Sequence, residues 1–471
     1  MNRITMITNE RMDWQKLLNA SRRRQSRMPD DDRAQFERDY DRMIFSTPVK
    51  RLQDKAQVFP LEPNDAIRTR LTHSLEVAAV ARGLATSAGA WLQKEGEIRL
   101  EQQRWIEAIA STCGLIHDLG NPPFGHAGED AMREWFVPRI PGKEEAFIDP
   151  QLSQDFLNFE GNAQTLRIVS KLQILADFYG LNLTFGTLSA SCKYTAASHQ
   201  VKKGNQALKK PGYFASETDV IKEVREATGT GDARNPITFL VEAADDIVYS
   251  VADIEDAVKK NLLRWSDLLE RFELAIDPAE NHPAKDALTE VLRRKSEILG
   301  RPNKEGEKRM DDDTHASAFR TAAISYMVPE AIEAFKSNYD DIMKGAHLKE
   351  LVAHPSLVAL MTELKAIGSE RIYPNHSTVK LELMGRRIIS DLMTIFWEGA
   401  KDLPLEGKPK TKDFKGRVGA LLSRNYRSIF QESCRLGKQP ELYHRYQLVT
   451  DYVCGMTDTF ARQLHSELMN G

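Results

Sequence analysis

The stretch GLIHDLGNPPFGHAGE, residues 114–129, places four ionisable side chains beside an apolar run. His117 falls four residues after Cys113, on the apolar face of a predicted helix. Asp118 follows directly, and Pro122 prevents the helix from continuing. A buried carboxylate is costly unless it is paired or bound to a metal. The dipeptide therefore indicates either a metal site or a carboxylate that caps a helix or pairs with its neighbouring histidine.

Two other predicted helices carry polar residues in suggestive positions. In IRTRLTHSLEV, Arg70 and His73 are spaced i, i+3 and share one face. In ITFLVEAADDIVYSVADIEDAV, Asp245, Tyr249 and Asp253 form an i, i+4, i+8 series opposite the apolar face. Taken alone, the histidine is typical of a hydrogen-bonded core residue, and the acidic series of a solvated helix surface. The double Asp after Ala-Ala and the interposed tyrosine favour a site.

The two imidazoles and two carboxylates of these segments form a plausible ligand set for one divalent ion. The four residues are His73, His117, Asp118 and Asp245. Two carboxylates neutralise the ion, and the set leaves open positions for water and substrate. Nitrogen and oxygen ligands without thiolate suit Mn²⁺, Fe²⁺, Co²⁺ or Zn²⁺, and Mg²⁺ less well. An open metal site of this kind polarises a phosphoryl oxygen or activates a water molecule.

The elements that must position these residues are helices, because 3.6-residue periodicity dominates the chain. We predict an all-α fold, with at most a minor β-ribbon. The predicted helices cover about residues 67–89, 101–119, 126–136, 161–178, 216–228, 236–262, 283–300, 316–344, 376–400, 413–432 and 440–468. Loops are predicted at residues 21–33, 202–213 and 401–417, which are rich in charge, Gly or Pro.

Composition indicates a globular protein without a general affinity for nucleic acid. The 471 residues are 41% hydrophobic and 28% charged, with a net charge of -3, so an anionic partner must be met by local basic patches. The four cysteines form no C-x-x-C pair, which favours reduced thiols and a cytoplasmic location. The start, MNRITMITNERMDW, has no apolar signal core, and no apolar run is long enough for a bilayer, so we expect no membrane insertion.

The spaced set of His73, the His117–Asp118 pair and Asp245 resembles that of the HD-domain metal phosphohydrolases. Longer strings resemble the bacterial deoxyguanosine triphosphate triphosphohydrolases: RLQDKAQVFPLE, RTRLTHSLEV, HDLGNPPFGHAGE, FEGNAQ, KKPGY, EAADDIVYSVADIEDAV and DYVCGMTD. They run from residue 51 to 458 and so span nearly the whole chain. The resemblance implies an HD-domain helical core with additional helices. We expect an N-terminal arm and helix at residues 1–50, the catalytic core at 51–275, and at 276–471 a helical region that packs on the core and completes a base pocket.

That family hydrolyses dGTP at the α-phosphorus, to deoxyguanosine and tripolyphosphate. The resemblance implies the same four metal ligands, holding Mn²⁺ or Mg²⁺; Asp245 is preferred to Asp246 because it begins the acidic series. His126 and Glu129 match the family's catalytic pair. His126 would handle a proton at the phosphoryl centre while Glu129 orients and charges it. The other interpretation of Glu129 is a carboxylate that complements the dipole of a helix N-terminus.

The resemblance also implies the residues that bind a triphosphate. Arg70, Asn162, Lys193 and Lys210 match family positions that contact phosphate oxygens, and Tyr194 would lie beside Lys193. Because Lys210 lies in a basic loop, solvated surface is its alternative interpretation.

Sugar and base contacts are implied in the same way. Tyr249 would pack against C2′ and exclude a 2′-hydroxyl, while Gln57 and Asp253 would hydrogen-bond the 3′-hydroxyl. Three residues match positions near the guanine: Val58, Glu382 and Arg427. Arg427 would come from a neighbouring subunit, and core or surface roles remain open for these three.

Two alternatives to a dGTP-specific enzyme remain. The metal ligands and His126 fit a broad-specificity deoxynucleotide triphosphohydrolase equally well, since only the base pocket discriminates. A nucleic-acid-binding or regulatory protein could keep the scaffold with a silent site, although the intact ligand set argues against it. The resemblance further suggests a homohexamer and binding of single-stranded DNA, to which basic segments such as 22–27 or 401–417 could add affinity.

Overall fold

The computed structural model describes residues 11–25, 31–140, 147–173, 177–279, 281–300 and 311–470, and most of them are helical, so the predicted all-α class is confirmed. The helices of the first half are α1 (Trp14–Leu17), α2 (Gln35–Ile44), α3 (Thr47–Arg51), α4 (Arg70–Lys94), α5 (Leu100–Ile116), α6 (Gly125–Phe136), α7 (Pro150–Leu157), α8 (Gly161–Arg167), α9 (Phe185–Ser191), α10 (Thr218–Thr228) and α11 (Pro236–Lys259). Those of the second half are α12 (Trp265–Ile276), α13 (Lys285–Leu299), α14 (Asp312–Ser337), α15 (Tyr339–Met343), α16 (Pro355–Ile367), α17 (His376–Lys401), α18 (Phe414–Leu421), α19 (Arg424–Leu436), α20 (Glu441–Cys454) and α21 (Asp458–Asn470).

The helices that carry the predicted metal ligands begin at residues suited to that position. The side chain of Thr69 accepts a hydrogen bond from the Thr72 amide and caps α4. The side chain of Asn235 accepts one from Ile237, and a proline occupies the first position of α11. These starts place His73 in the first turn of α4 and Asp245 in the middle of α11.

Helices α4 and α5 approach each other unusually closely at a glycine. A Cβ atom added to Gly114 of α5 would lie 2.8 Å from the Cα atom of Ala78 in α4. No real side chain tolerates that separation, so this contact requires glycine. The close approach leaves the rings of His73 and His117 with their centroids 5.3 Å apart.

Two hydrophobic cores share these helices. The first joins α4, α11 and part of α5 to α12–α16, and the second joins the C-terminal end of α5 to α6–α8, α10 and α17–α20. Each core therefore contains residues from both sides of the predicted boundary at residue 276.

The described residues show where periodicity misplaced helix ends. The predicted helix 440–468 is divided at Gly455–Thr457 into α20 and α21, and 413–432 is divided at Leu422 and Ser423. The helix predicted at 161–178 is α8 followed by a π-helical turn, Ile168–Leu172, and residues 174–176 lie outside the described part. Helices α7, α9, α12 and α16 lie outside every predicted helix range, and α1, α2 and α3 lie at residues 14–51, where one helix without bounds was expected at 1–50. The minor β-ribbon is a pair of short parallel strands, Ala196–Ala197 and Pro211–Tyr213.

The acidic series of α11 is not a solvated surface, since Asp253 is 3% exposed and the Asp245 side chain is 23% exposed, and two further carboxylates of this helix are buried. Glu242 is 3% exposed and accepts from Arg234 at 2.6 Å; Asp256 is 2% exposed and accepts from Arg68 at 2.5 Å. Pairing offsets the desolvation of these carboxylates. Among the described helices, none combines enough length with enough hydrophobicity to cross a lipid bilayer.

Replacing Gly114 with alanine should destabilise the protein, because the added methyl group overlaps the backbone of α4. We expect a loss of about 1–3 kcal/mol in the free energy of unfolding. Gly83, also in α4, has nothing within 4 Å of an added Cβ atom, so Gly83→Ala should be neutral or stabilising by up to about 1 kcal/mol. Urea denaturation of both variants measures the difference; equal stabilities would show that the two helices can separate without cost.

Candidate active site

One cavity of about 540 Å³ gathers most of the predicted site residues, a size in the range of small-molecule sites. Those lining it are Gln57, Val58, Arg70, Asp118, His126, Glu129, Asn162, Lys193, Tyr194, Lys210, Asp245, Tyr249, Asp253 and Glu382. Helices of both hydrophobic cores therefore meet at this cavity. A second cavity, of about 560 Å³, lies between α2, α4 and α5, but it is lined by surface ion pairs such as Arg104–Glu37 and by no histidine.

Three of the four predicted metal ligands converge at one end of the cavity. Ligand atoms of His73, His117 and Asp245 all lie within 4.8 Å of one another. Asp245 Oδ1 is 3.3 Å from His73 Nε2 and 3.4 Å from His117 Nε2. Asp118 Oδ2 is 3.6 Å from His117 Nε2. Asp246 instead accepts from Lys365 at 2.8 Å, so the predicted preference for Asp245 agrees with the geometry.

The histidines are prepared to act as ligands. His117 Nδ1 lies 2.7 Å from the carbonyl oxygen of Gly114, which holds the proton on Nδ1 and leaves the Nε2 lone pair free. Nε2 of His117 is buried and has no hydrogen-bond partner among the residues that the structure describes. A buried nitrogen without a partner, directed at two carboxylates, fits coordination to a cation. The residues present therefore fit a divalent metal.

Positive groups around the two carboxylates keep both ionised. Burial opposes ionisation of Asp118, but Arg70 and His117 outweigh it and lower its pKa to about 2. Burial likewise opposes ionisation of Asp245, while His117 and Lys193 hold its pKa well below the usual value. Arg70 donates to Asp118, and Lys193 Nζ is 3.4 Å from Asp245 Oδ2. Two cations predicted to bind phosphate thus also neutralise the metal ligands.

His126 lies at the start of α6 and points into the cavity. Phe124, with φ of 61°, turns the chain sharply before the helix begins at Gly125. His126 is exposed to the open cavity, but partial loss of water around its ring lowers the pKa of this histidine, and the charges of Arg70 and Lys210 lower it further. Its imidazole is therefore neutral at pH 7, which is the form that can accept a proton.

Glu129 does not pair with His126 as the sequence predicted. Its carboxylate accepts from the backbone amide of Gly161 at 2.8 Å and lies 3.4 Å from Arg133. Glu129 lies one turn beyond the start of α6, whose first turn contains no acidic residue. The alternative interpretation, a carboxylate that complements the dipole in the first turn, therefore does not apply. Burial and the neighbouring charge of Glu160 raise the pKa of Glu129 to about 7. His126 and Glu129 are spaced i, i+3 in α6, but the Glu129 carboxylate bonds to the first residue of α8.

Glu160 is a site residue that sequence reasoning missed, although it lies in the quoted string FEGNAQ. It is 2% exposed. Its carboxylate accepts from Asn162 Nδ2 at 2.8 Å and pairs with Lys210 Nζ at 3.0 Å. Lys210 is therefore part of the cavity wall and not merely solvated surface. Two residues predicted to contact phosphate are held by one carboxylate.

A hydrogen-bonded series forms another wall. The hydroxyl groups of Tyr249 and Tyr373 form a hydrogen bond of 2.7 Å, and Tyr373 donates to Asp253 Oδ2 at 2.8 Å. Burial raises the pKa of Asp253 to about 7. Gln57 presents a buried Oε1 atom that has no hydrogen-bond partner in the described part of the chain. Tyr373 follows a π-helical turn and carries no motif, so no local signal in the sequence identified it.

The predicted base contacts are placed unevenly. Val58 lines the cavity, and Glu382 of α17 lies exposed at its edge. Partial loss of water around the carboxyl group still raises the pKa of Glu382. Arg427, in α19, does not line this cavity. The three predicted base contacts therefore do not all meet at the cavity of a single chain.

The basic segment at 22–27 is not a free cationic surface in its described part. Arg22 is buried and pairs with Asp39, Arg23 pairs with Glu223, and Arg24 pairs with Asp177. Residues 26–27 lie outside the described part. In the other segment, Lys408, Lys410 and Lys412 are exposed.

Comparison with known proteins agrees with this geometry. A family model of the HD domain matches residues 70–155. A deoxyguanosinetriphosphate triphosphohydrolase-like protein of Listeria monocytogenes is 38% identical, covering 97% of this chain and 99% of its own length. One of Synechocystis is 31% identical, covering 97% and 99%. A deoxyguanosinetriphosphate triphosphohydrolase of Yersinia pestis is 31% identical, covering 92% and 93%.

The matched segment contains His73, His117 and Asp118, and α11 adds Asp245 to them from outside it. A helical scaffold with this cluster is an HD-domain metal-dependent phosphohydrolase, which confirms the first resemblance. The relatives match along nearly the whole chain. The chain belongs to the deoxyguanosinetriphosphate triphosphohydrolase family.

Removing the Asp245 carboxylate should weaken metal binding, since the two histidines then keep no anionic partner in α11. We expect Asp245→Asn to bind Mn²⁺ at least about tenfold more weakly by calorimetry, and to lose the rise in melting temperature that metal gives the unaltered protein. Asp246→Asn is the matched control and should bind Mn²⁺ normally. If the two variants exchanged these behaviours, the neighbouring aspartate would be the ligand.

Proposed function

We propose that this protein hydrolyses dGTP to deoxyguanosine and tripolyphosphate by attack at the α-phosphorus. The observation that carries the proposal is the cavity itself, which joins the histidine–aspartate cluster, His126, three cations and a tyrosine-lined wall. The names of the relatives agree with a deoxynucleoside triphosphate as substrate.

Arg70, Lys193 and Lys210 would bind the phosphate groups at one end of the cavity. A nucleoside triphosphate brings about four negative charges, which an Arg fork and Lys ammonium groups can meet. Each of these cations now pairs with a carboxylate of the cavity: Arg70 with Asp118, Lys193 with Asp245, and Lys210 with Glu160. Phosphate binding exchanges these carboxylate contacts, and it is favoured once Asp118 and Asp245 are neutralised as metal ligands.

We propose Mn²⁺ or Mg²⁺ as the cofactor, with His73, His117, Asp118 and Asp245 as its ligands. When bound, the metal would polarise the α-phosphoryl oxygen or activate the attacking water. Co²⁺, Fe²⁺ and Zn²⁺ also suit the donor set.

His126 transfers a proton during the attack at the α-phosphorus. Its neutral imidazole lies in the cavity beside Arg70, Lys210 and Asp118, the groups that most affect its pKa apart from burial. Glu129 supports it indirectly, because its carboxylate fixes the Gly161 amide at the start of α8 and thereby the adjoining wall.

Sugar and base selection belong to the opposite wall. Tyr249 closes the space at C2′, while Asp253 and the unpaired Gln57 Oε1 atom offer polar partners for the 3′-hydroxyl. Val58 and Glu382 contact the guanine. In a homohexamer a neighbouring subunit would bring Arg427 to this side, and the exposed lysines at 408–412 would bind single-stranded DNA.

Incubation with Mn²⁺ and each of the four deoxynucleoside triphosphates tests the reaction. We expect deoxyguanosine and tripolyphosphate from dGTP, resolved by ion exchange. In ¹⁸O-labelled water the label should enter tripolyphosphate, because attack at the α-phosphorus breaks the bond to the 5′-oxygen. Label in deoxyguanosine would place the attack at C5′. Equal turnover of all four nucleotides would establish the broad-specificity alternative, and no turnover would favour a binding or regulatory protein.

The variant His126→Ala should retain binding of metal and dGTP but lose about 10²–10⁴-fold in kcat, since only the proton transfer is removed. Binding is measured by calorimetry with a non-hydrolysable dGTP analogue and turnover by product release. A His126→Ala enzyme that turns over at the unaltered rate would exclude this residue from the mechanism.

A further inference from the structure

The chain between Asp118 and His126 forms a corner that joins the metal-binding cluster to the residue proposed to transfer a proton. At its end, Phe124 adopts a left-handed backbone conformation with φ of 61°. This conformation is unfavourable for a residue with a side chain, so surrounding contacts must hold it. The final string of the sequence, DYVCGMTD, supplies those contacts.

Asp458, the last residue of that string, bonds two distant backbone segments. Its Oδ1 atom accepts from the Phe124 amide at 3.0 Å, and its Oδ2 atom accepts from the Ala56 amide at 2.9 Å. The side chain is buried, and the residue begins α21. One carboxylate thus holds both the corner and the segment that leads directly into Gln57.

Lys55 makes a second link between the same segments. Its Nζ atom donates to the carbonyl oxygen of Asn121 at 2.6 Å and to that of Cys454 at 2.9 Å. The Cys454 thiol in turn donates to the carbonyl oxygen of Gly120 at 3.1 Å. Lys55 is 4% exposed, and burial lowers its pKa to about 8. A lysine this deeply buried needs its carbonyl partners, which fixes the distance between corner and α20.

We propose that Asp458 and Lys55 are positioning residues for the active site. Neither lines the cavity. They act through the corner, which fixes the placement of His126 relative to Asp118, and Asp458 acts also through Ala56 on the wall that contains Gln57. The inference rests on the proposed function for its kinetic part only, because the contacts themselves do not depend on the substrate.

The carboxylate of Asp458 is suited to this task in a way that an amide is not. Two backbone N–H groups converge on it, one at each oxygen. Asparagine can accept at its single oxygen and would direct its NH₂ group at the second N–H. The variant Asp458→Asn therefore loses one link while it preserves the volume of the side chain.

Asp155 provides a matched control. It is also buried, and its Oδ2 atom accepts from the Ala215 amide at 2.7 Å and from the Tyr443 hydroxyl at 2.7 Å. It does not line the cavity. The variant Asp155→Asn therefore disturbs a comparable buried carboxylate without loosening the corner.

For Asp458→Asn we expect kcat to fall by about tenfold or more, because a displacement of about 1 Å costs on the order of 10²-fold in rate. KM for dGTP and the affinity for Mn²⁺ should change less than about threefold. Amide hydrogen exchange across residues 120–128 should accelerate in this variant. Asp155→Asn should show unaltered kcat and unaltered exchange across 120–128, even where its melting temperature falls as far.

Equal kcat and equal exchange in the two variants would overturn the proposal. If Asp458→Asn does not fold, Lys55→Met is tested in its place, since it removes the links to Asn121 and Cys454 and should give the same loss of kcat and faster exchange. If the unaltered protein hydrolyses no nucleotide, the proposed function fails, but hydrogen exchange still decides whether Asp458 and Lys55 hold the corner.

Discussion

Two carboxylates that face the same imidazole in a cavity, Asp118 and Asp245 beside His117, set the requirements that the surrounding structure meets. Like charges so close repel each other, and burial removes the water that would otherwise stabilise them. His73, His117, Arg70 and Lys193 supply the compensating groups. The glycine contact between α4 and α5 exists at the point where the two histidines must converge, and α11 packs on both helices to bring in Asp245.

The same cations link the candidate metal cluster to the proposed phosphate contacts. Arg70 and Lys193 line the cavity and also pair with the candidate metal ligands. Under the proposed function, one set of positive charges serves both the carboxylates and the phosphate oxygens, which would couple the binding of metal and nucleotide energetically. Glu160 likewise pairs with a cation of the cavity, because its carboxylate bonds both Lys210 and Asn162 and keeps them in the cavity wall.

The cavity lies where the two hydrophobic cores meet. Tyr249 and Tyr373 belong to elements of the first core, and Glu129 and Glu382 to helices of the second. The corner between Asp118 and His126 belongs to the second core through Leu119 and Phe124, and Lys55 and Asp458 bond its backbone. Small shifts between the cores would alter the distance from His126 to the metal-binding cluster.

Local sequence determined the helical class, the apolar faces and the spacing that puts His117 and Asp118 at the end of a helix, because these follow from periodicity and chain-breaking residues. The family resemblance added which histidines and aspartates belong together. Only the tertiary structure decided that the acidic series of α11 is not a solvated surface, that Glu129 bonds α8 and not His126, that Tyr373 and Glu160 line the cavity, and that Asp458 bonds the corner at Phe124. These are contacts between segments far apart in the chain, and a side chain's partner across such a distance depends on how whole helices pack.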